Sequence, residues 1–336
     1  MNIYQWPIGS LLKKFKKLKS NHIKMILEKK CECCENILHN KVAMKRGFNL
    51  YRCNSCGLIF VWPQPSEKVF LSLYSSSDGY YLDTPADLSL TSSARADVVD
   101  KLLRSAGIKK GSFLDVGCAS GALIFHLKEK GWDVSGIEIN SGAVQIAQKN
   151  NLQVIEKKFQ NHPYENGTFD VIHMGDVIEH CDSPNQVLSI AHALLKKSGA
   201  LILRTPNADC SFAQRSLPVA KFLRLPWPHS EAPYHLFDFT VNSLRILLEK
   251  HGFEISHIDC ERTSRFAYII GGMGYFDEMK RRIKKNYQKK YSLSTLRYAP
   301  RIILLSTIFA PIFFAGKITD KYNKKGNVIN ILAKRL

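Results

Sequence analysis

The stretch from Gly111 to Glu138, GSFLDVGCASGALIFHLKEKGWDVSGIE, constrains this chain more than any other. Phe113 to Val116 is an apolar run with the length of a buried strand, Gly117 to Gly121 turns the chain, and Ala122 to Lys130 carries helix formers, with Leu123, Phe125 and Leu127 among them. A second strand, Trp132 to Glu138, then ends on an acid 21 residues beyond Gly117, where a carboxylate meets ribose hydroxyls at the edge of a parallel sheet. Strand, glycine turn, helix and acid-ended strand make half of a nucleotide-binding site. The bland alternative is a parallel α/β turn that happens to be rich in glycine.

The glycines narrow the ligand. A pyrophosphate needs G-x-G-x-x-G so that backbone can approach it, but the second and third positions here are Ala119 and Ala122. S-adenosylmethionine carries ribose and adenine without phosphate. It asks for a small-residue turn, which Asp115 to Gly121 supplies, and for an acid, which Glu138 supplies.

Further landmarks follow in order. Thr168-Phe-Asp170-Val-Ile-His173 reads as a strand, Asp176-Val-Ile-Glu179-His180 follows it, and a helix starts near Ser183-Pro184. Gly199 to Leu203 is a strand running into Arg-Thr-Pro-Asn207, Tyr234-His235-Leu-Phe-Asp-Phe-Thr240 precedes a helix, and Gly252 to Ser256 begins another strand. With these motifs the chain resembles the class I S-adenosylmethionine-dependent methyltransferases, in particular a bacterial group whose motifs run LDVGC-x-SG, FD-V-I, EH, TPN and HLF-x-FT. The resemblance covers about residues 90 to 260 and a last strand at Asn327 to Ala333.

It implies an α/β fold with a Rossmann-like seven-stranded sheet, order 3-2-1-4-5-7-6, final strand antiparallel, and ligands at the carboxyl ends of strands 1, 2 and 4. It also implies cofactor contacts from Asp115, Gly117, Cys118, Gly121, Glu138, Ile139, Phe159 and Met174. One departure stands out: where the family often has an acid for the adenine amino group, this chain has Lys158, leaving the backbone of Phe159 to serve adenine.

Nine cysteines in a chain expected to stay in the cytosol point away from disulfides. Cys31, Cys34, Cys53 and Cys56 give C-x2-C-x18-C-x2-C, a spacing that lets two short turns present four thiolates to one tetrahedral Zn²⁺, with Cys33 an extra thiol inside the first pair. Gly57 suits the tight turn after the second pair, whereas Glu35 stands at the matching place after the first. Metal-free buried thiols are the alternative. Similar ribbons precede the catalytic domain in sugar-modifying members of the group, which raises a sugar acceptor. The ribbon's expected work is structural, as one wall of the acceptor cleft. After it, Gly57 to Pro65 reads as an edge strand ended by prolines, and Tyr74, Tyr80 and Tyr81 lie in a linker, where they either fold over a ligand or pack the ribbon onto the main domain.

Charge is concentrated at two places. The formal excess is +19, and residues 1–30, with eight lysines against Glu28, together with Met279 to Ser292, with seven lysines and arginines and no acid, supply 14 of it. In the first, Ile8, Leu11, Leu12, Phe15 and Leu18 fall on one helical face opposite Lys13, Lys14 and Lys17, a basic amphipathic helix suited to an anionic membrane surface. The second precedes an apolar run from Ile302 to Gly316 that is 15 residues long and carries Pro311, too short to span a bilayer, which needs about 20. That run is expected either at a membrane interface or capping a core. No nucleic acid is expected, since the basic residues neighbour aliphatic runs without a stacking platform. No apolar core of a secretory signal follows the basic start, so the expected location is cytoplasmic, peripheral on the inner face of the membrane.

The resulting division is a basic helix (1–30), ribbon (31–65), linker (66–90), S-adenosylmethionine-binding domain (91–262), basic and apolar insertion (263–325) and a last strand (326–336). Methyl transfer is an in-line displacement that needs a base only when the acceptor loses a proton. His180, His235 and Glu179 are the catalytic candidates, and capping or core packing is the alternative for each histidine. Asp176-x-x-Glu179-His180 resembles the E-x-x-E-H metal site of ubiquinone-biosynthesis O-methyltransferases, but the shorter first acid argues against Mg²⁺ there.

The expected acceptor is a small-molecule or lipid-linked sugar in cell-surface polysaccharide synthesis. The alternatives are O-methylation of a quinone or other lipid-like molecule, or a membrane-surface zinc-ribbon binding protein with a vestigial fold. Intact Asp115, Gly117, Gly121 and Glu138 speak against the last. An enzyme of DNA amino groups would need D/N/S-P-P-Y, and a cytosine-5 enzyme a Pro-Cys pair. Neither occurs.

Overall fold

A computed structural model describes residues 29–66, 90–262, 299–323 and 325–336. The basic N-terminal helix, the tyrosine-bearing linker and the basic run Lys280 to Lys290 lie outside the described residues. The main sheet has seven strands: β4 (Ser112–Val116), β5 (Asp133–Glu138), β6 (Val154–Glu156), β7 (Phe169–Gly175), β8 (Leu195–Pro206), β10 (Phe253–Glu261) and β11 (Val328–Arg335). Their spatial order is β10-β11-β8-β7-β4-β5-β6, with β11 antiparallel to both neighbours, as the motif order implied.

Capping explains where the helices begin. α1 spans Leu90–Ser105 and α2 Ala122–Glu129, while α3 (Ser141–Lys149) is capped by Asn140, whose side chain accepts from the amide of Ala143 at 3.0 Å. Ser183 caps α4 (Pro184–Leu194) with a proline in its first turn. After α5 (Ser211–Phe222), Thr240 and Ser243 exchange hydrogen bonds in a reciprocal box that starts α6 (Val241–Lys250). The aspartate of the FD motif holds strands together. The Asp170 carboxylate accepts from the backbone and hydroxyl of Ser112 at 2.8 and 2.9 Å and pairs with Lys196 at 2.7 Å, clamping β7 to β4 and β8.

The cysteine-rich segment builds a second, four-stranded sheet from β1 (His39–Lys45), β2 (Phe48–Cys53), β3 (Ile59–Val61) and β9 (Phe237–Asp238), in the order β1-β2-β3-β9. β3 is therefore interior, not the edge strand its prolines predicted. Its second partner is supplied by a loop of the catalytic domain some 180 residues downstream, with Phe60 opposite Phe237. Tyr51 and Phe60 join the same core as Leu114, Val116 and Leu203 of the main sheet.

The apolar run after the basic segment belongs to one helix, α7 (Ala299–Asn323), which continues through Pro311. Phe309, Phe313, Gly316 and Asp320 form its buried stripe. Phe313 meets Phe212 of α5 at 5.7 Å between rings, and Asp320 accepts from the amide of Ser211 at 3.0 Å. This stripe of the helix caps a core, while Phe314 and Ile318 are exposed. No described helix is long and apolar enough to cross a membrane.

Candidate functional site

The glycine turn sits at the carboxyl end of β4. Gly117, Ala119 and Gly121 all take positive φ (67°, 48° and 79°), a left-handed path that glycine adopts without strain. A Cβ on Gly117 would lie 2.7 Å from Val177, and one on Gly121 2.5 Å from Leu152, so both positions also require the absence of a side chain. Glu138, at the end of β5, secures the turn. One carboxylate oxygen accepts from the amide of Ala119 at 3.0 Å, and the other from the amides of Ile139 and Asn140 at 2.7 and 2.8 Å.

The other cofactor candidates are placed unequally around this turn. Asp115 is buried and accepts from Nδ1 of His173 at 2.7 Å. Ile139 is half exposed, whereas Cys118, Met174 and Phe159 are buried. Cys118 packs beneath β5, its sulfur 2.6 Å from where a Cβ of Gly136 would stand, and burial pushes its thiol up. Met174 lies wholly in the core. Lys158 precedes the short turn Phe159–Asn161. Two residues that sequence reading missed complete this side. His173 partners Asp115 from the neighbouring strand β7, and Arg95 of α1, an exposed side chain, reaches Asp176 at 3.6 Å.

The acceptor candidates converge from distant segments. Ile178–His180 forms one 3-10 turn after β7, and the backbone amide of Leu236 donates to the carbonyl of Glu179 at 2.8 Å, which draws the HLF loop against it. The His180 and His235 rings meet edge to face at 4.6 Å, and Nδ1 of His180 donates to the carbonyl of Tyr234 at 2.9 Å. One donor atom from each of Glu179, His180 and His235 lies within 4.8 Å of the others. Burial raises the Glu179 carboxyl well above the usual range and lowers both imidazoles, so the histidines are neutral.

Asp176 does not belong to this group: its carboxylate pairs with Arg204 and Arg95. The D-x-x-E-H set is therefore not gathered, and His235 takes the place that spacing gave to Asp176. Around the same loop lie more buried polar groups. Lys45 of the ribbon donates to the carbonyl of Ser230, His229 is lowered to about 3 by burial, and Asp238 is raised to about 7 by burial. Nothing in the local sequence around Lys45 marks it; only the pairing of β3 with β9 brings it here.

The four ribbon cysteines are gathered as their spacing predicted, with sulfur contacts of 3.5 Å between Cys31 and Cys56 and between Cys34 and Cys53. A tetrahedron of thiolates at about 2.3 Å from Zn²⁺ sets sulfurs about 3.8 Å apart, so the donor set fits a structural zinc. Glu35 adopts φ 58°, the turn that glycine was expected to provide. Cys33, the extra thiol, is buried beside Cys31 and Cys56 and its pKa is raised by those neighbours. The ribbon docks on the catalytic domain through its turns: Thr240 donates to the Cys56 carbonyl at 3.1 Å, Asn185 to that of Glu32 at 2.8 Å, and Lys250 pairs with Glu35 at 2.7 Å.

Comparison with known proteins agrees with this arrangement. Residues 90–258 match the family described as Methyltransferase domain. A ubiquinone biosynthesis O-methyltransferase of Vibrio campbellii is 28% identical over 132 residues, 37% of this chain and 56% of that protein. One from Acinetobacter baumannii is 27% identical over 144 residues, 40% of this chain and 60% of that one. The chain thus spans little more than half the length of these relatives. Among solved structures, an S-adenosylmethionine-dependent methyltransferase of Thermotoga maritima is 16% identical, covering 74% of this chain and 91% of that one at a TM-score of 0.44. Another, from Archaeoglobus fulgidus, is 18% identical, covering 71% and 94% at 0.42. With its sheet order, its glycine turn and a family match over half its length, the chain belongs to the class I S-adenosylmethionine-dependent methyltransferases.

Proposed function

We propose that this methyltransferase modifies a polyhydroxylated acceptor, a sugar or glycan that is free, nucleotide-linked or carried on a lipid. The observation that carries this reading is the polar character of the acceptor side. Glu179, His235 and Asp238 are buried there and His229 is half-buried; Nδ1 of His235, Nε2 of His229 and one carboxylate oxygen of Asp238 lack a hydrogen-bond partner among the described residues, and the Glu179 carboxyl has the hydroxyl of Thr205 beside it. Buried polar atoms without partners are costly, and a ligand rich in hydroxyls offers more donors and acceptors to satisfy them than the few oxygens of a quinone ring. The ribbon supports the same class, since its sheet continues directly into the loop bearing His235.

In the proposed reaction the Gly117 to Gly121 turn, Glu138 and the neighbourhood of Phe159, at the carboxyl ends of β4, β5 and β7, would hold S-adenosylmethionine, which supplies the methyl group. Arg95, which reaches Asp176 at the same end of the sheet, would offer positive charge to its carboxylate. The acceptor oxygen or carbon attacks the methyl group in line as the carbon–sulfur bond breaks. The neutral imidazoles of His180 and His235 would stand beside the acceptor, and one of them would take its proton where the acceptor loses one. Cys31, Cys34, Cys53 and Cys56 would hold a structural Zn²⁺ that fixes the ribbon as a wall of this cleft. A second reading, O-methylation of a quinone-like molecule, is favoured by the names of the matched relatives.

The test is methyl-labelled S-adenosylmethionine offered with nucleotide-sugars, lipid-linked glycans and demethylated quinones in parallel. Label in a sugar product supports the first reading, and label in the quinone alone overturns it.

A further inference from the structure

We propose that the outer face of α7 is a contact surface for an anionic lipid bilayer, on which the protein lies without crossing it. The first support is the pattern of the helix. At about 100° per residue, Pro311, Ile318 and Tyr322 fall opposite the buried stripe of Phe309, Phe313, Gly316 and Asp320. Ile318 is 62% exposed and Tyr322 79%, so over this span the helix turns apolar side chains to the core and to the outside alike. A surface helix of a soluble domain keeps its outer face polar, whereas one that is apolar on both sides calls for a second apolar neighbour.

The second support is charge, and it names that neighbour. Asp320, the acid of α7, is buried against the amide of Ser211, while Lys317 and Lys321 flank the outer stripe. α5 is joined to α7 by the Phe212 and Phe313 rings and by the hydrogen bond from Arg215 to Thr319 at 2.9 Å. It too carries no acid, and it ends in the segment Lys221 to Arg224, where Phe222 is 86% exposed. In sequence, the basic run Met279 to Ser292 ends shortly before α7 begins. Apolar side chains framed by cations alone complement acyl chains beneath anionic headgroups, and a tyrosine ring suits the headgroup level. A second copy of the chain fits less well, because packing this face on itself would gather the lysines of both copies with no acid of α7 between them.

The contact is shallow and oriented. From Pro311 to Tyr322 the outer stripe runs for about three turns, enough to lie in an interface, and no described helix is long and apolar enough to cross a membrane. Phe309 and Phe313, on the opposite side of α7, share a core with Ile59 and Val61 of β3. A bilayer against the outer stripe would therefore hold the ribbon side of the acceptor cleft at a fixed attitude to the lipid surface. Contact with the bilayer does not depend on which acceptor is methylated.

The experiment uses the full chain with vesicles of phosphatidylcholine, alone or mixed with phosphatidylglycerol, and reads flotation together with indole fluorescence. The unsubstituted protein should float with the mixed vesicles. Ile318→Asp combined with Tyr322→Asp should weaken that binding about tenfold, and Lys317→Gln combined with Lys321→Gln about as much at low salt. S-adenosylhomocysteine binding and thermal melts of these surface variants should stay as they are. Ile318→Trp should add blue-shifted emission that bromine-labelled acyl chains quench, beyond any quenching of the unsubstituted protein. Should a variant fail to fold, the quenching in Ile318→Trp decides. Unchanged flotation of the aspartate variant, an introduced indole that brominated lipid leaves unquenched, or no flotation of the unsubstituted protein overturns the proposal. So does a dimer in sedimentation that Ile318→Asp separates, which would give the face to a second copy.

Discussion

Glu138 ties the amide of Ala119 in the cofactor turn to those of Ile139 and Asn140 after β5, so its loss should be felt as loss of the turn as well as of the ribose contact proposed for it. Glu138→Ala is expected to weaken S-adenosylhomocysteine at least tenfold by calorimetry, and Glu138→Gln, which still accepts hydrogen bonds, less. A second residue-scale prediction concerns acid. His229 is held near a pKa of about 3 by burial, against about 6.5 in an unfolded chain. Because the unfolded state then binds the extra proton, stability should fall as pH drops from about 6.5 towards 3, by at most about 1.4 kcal/mol per unit for this one group. Thermal melts of His229→Gln should decline less steeply over that window, and an unchanged slope would show that His229 is not the group responsible. Asp115, Gly117, Gly121 and Glu138 were legible because strand, turn and acid follow one another within a short stretch. The His173 partner of Asp115 was not, since 58 residues separate them and only the pairing of β4 with β7 makes them neighbours.

Two elements make measurable claims. The four-cysteine cluster should hold about one equivalent of zinc per chain, lost in Cys53→Ser and kept in Cys33→Ser; the reverse dependence on Cys33 and Cys34 would reassign the ligands. Removing that zinc should lower methyl transfer more than it lowers S-adenosylhomocysteine binding, because β3 pairs with β9 only two residues from His235. In α7, Phe313→Ala should cost about 3–5 kcal/mol by denaturant unfolding, as expected for emptying a buried aromatic site against Phe212. A cost near zero would mean that this face of α7 is not core. The strands of the main sheet could be read from their apolar runs, and Ser183 and Pro184 announced α4. The sequence misled at β3, whose prolines read as an edge while its true neighbour comes from a remote loop. The apolar run before Gly316 left two readings open, because an apolar stripe looks the same whether it faces Phe212 or lipid.

At the scale of the molecule, ribbon and catalytic sheet share one apolar cluster, so the described parts should melt in a single transition that chelation shifts as a whole. Two separate transitions would contradict this. The two basic segments, residues 1–30 and Met279 to Ser292, are the ground on which we propose peripheral attachment to an anionic membrane, which vesicle flotation with and without anionic lipid would test. Equal recovery in the soluble fraction with both lipids would favour a soluble acceptor. The junction of β3 with β9 also bears on how such proteins can be recombined. A chimera that exchanged the first 65 residues for another ribbon would have to carry residues 236–240 with it, since the new strand must find its partner there. A catalytic domain expressed from residue 90 onward would instead leave β9 unpaired and lose the strand opposite Phe237, the kind of surface on which copies stick to one another.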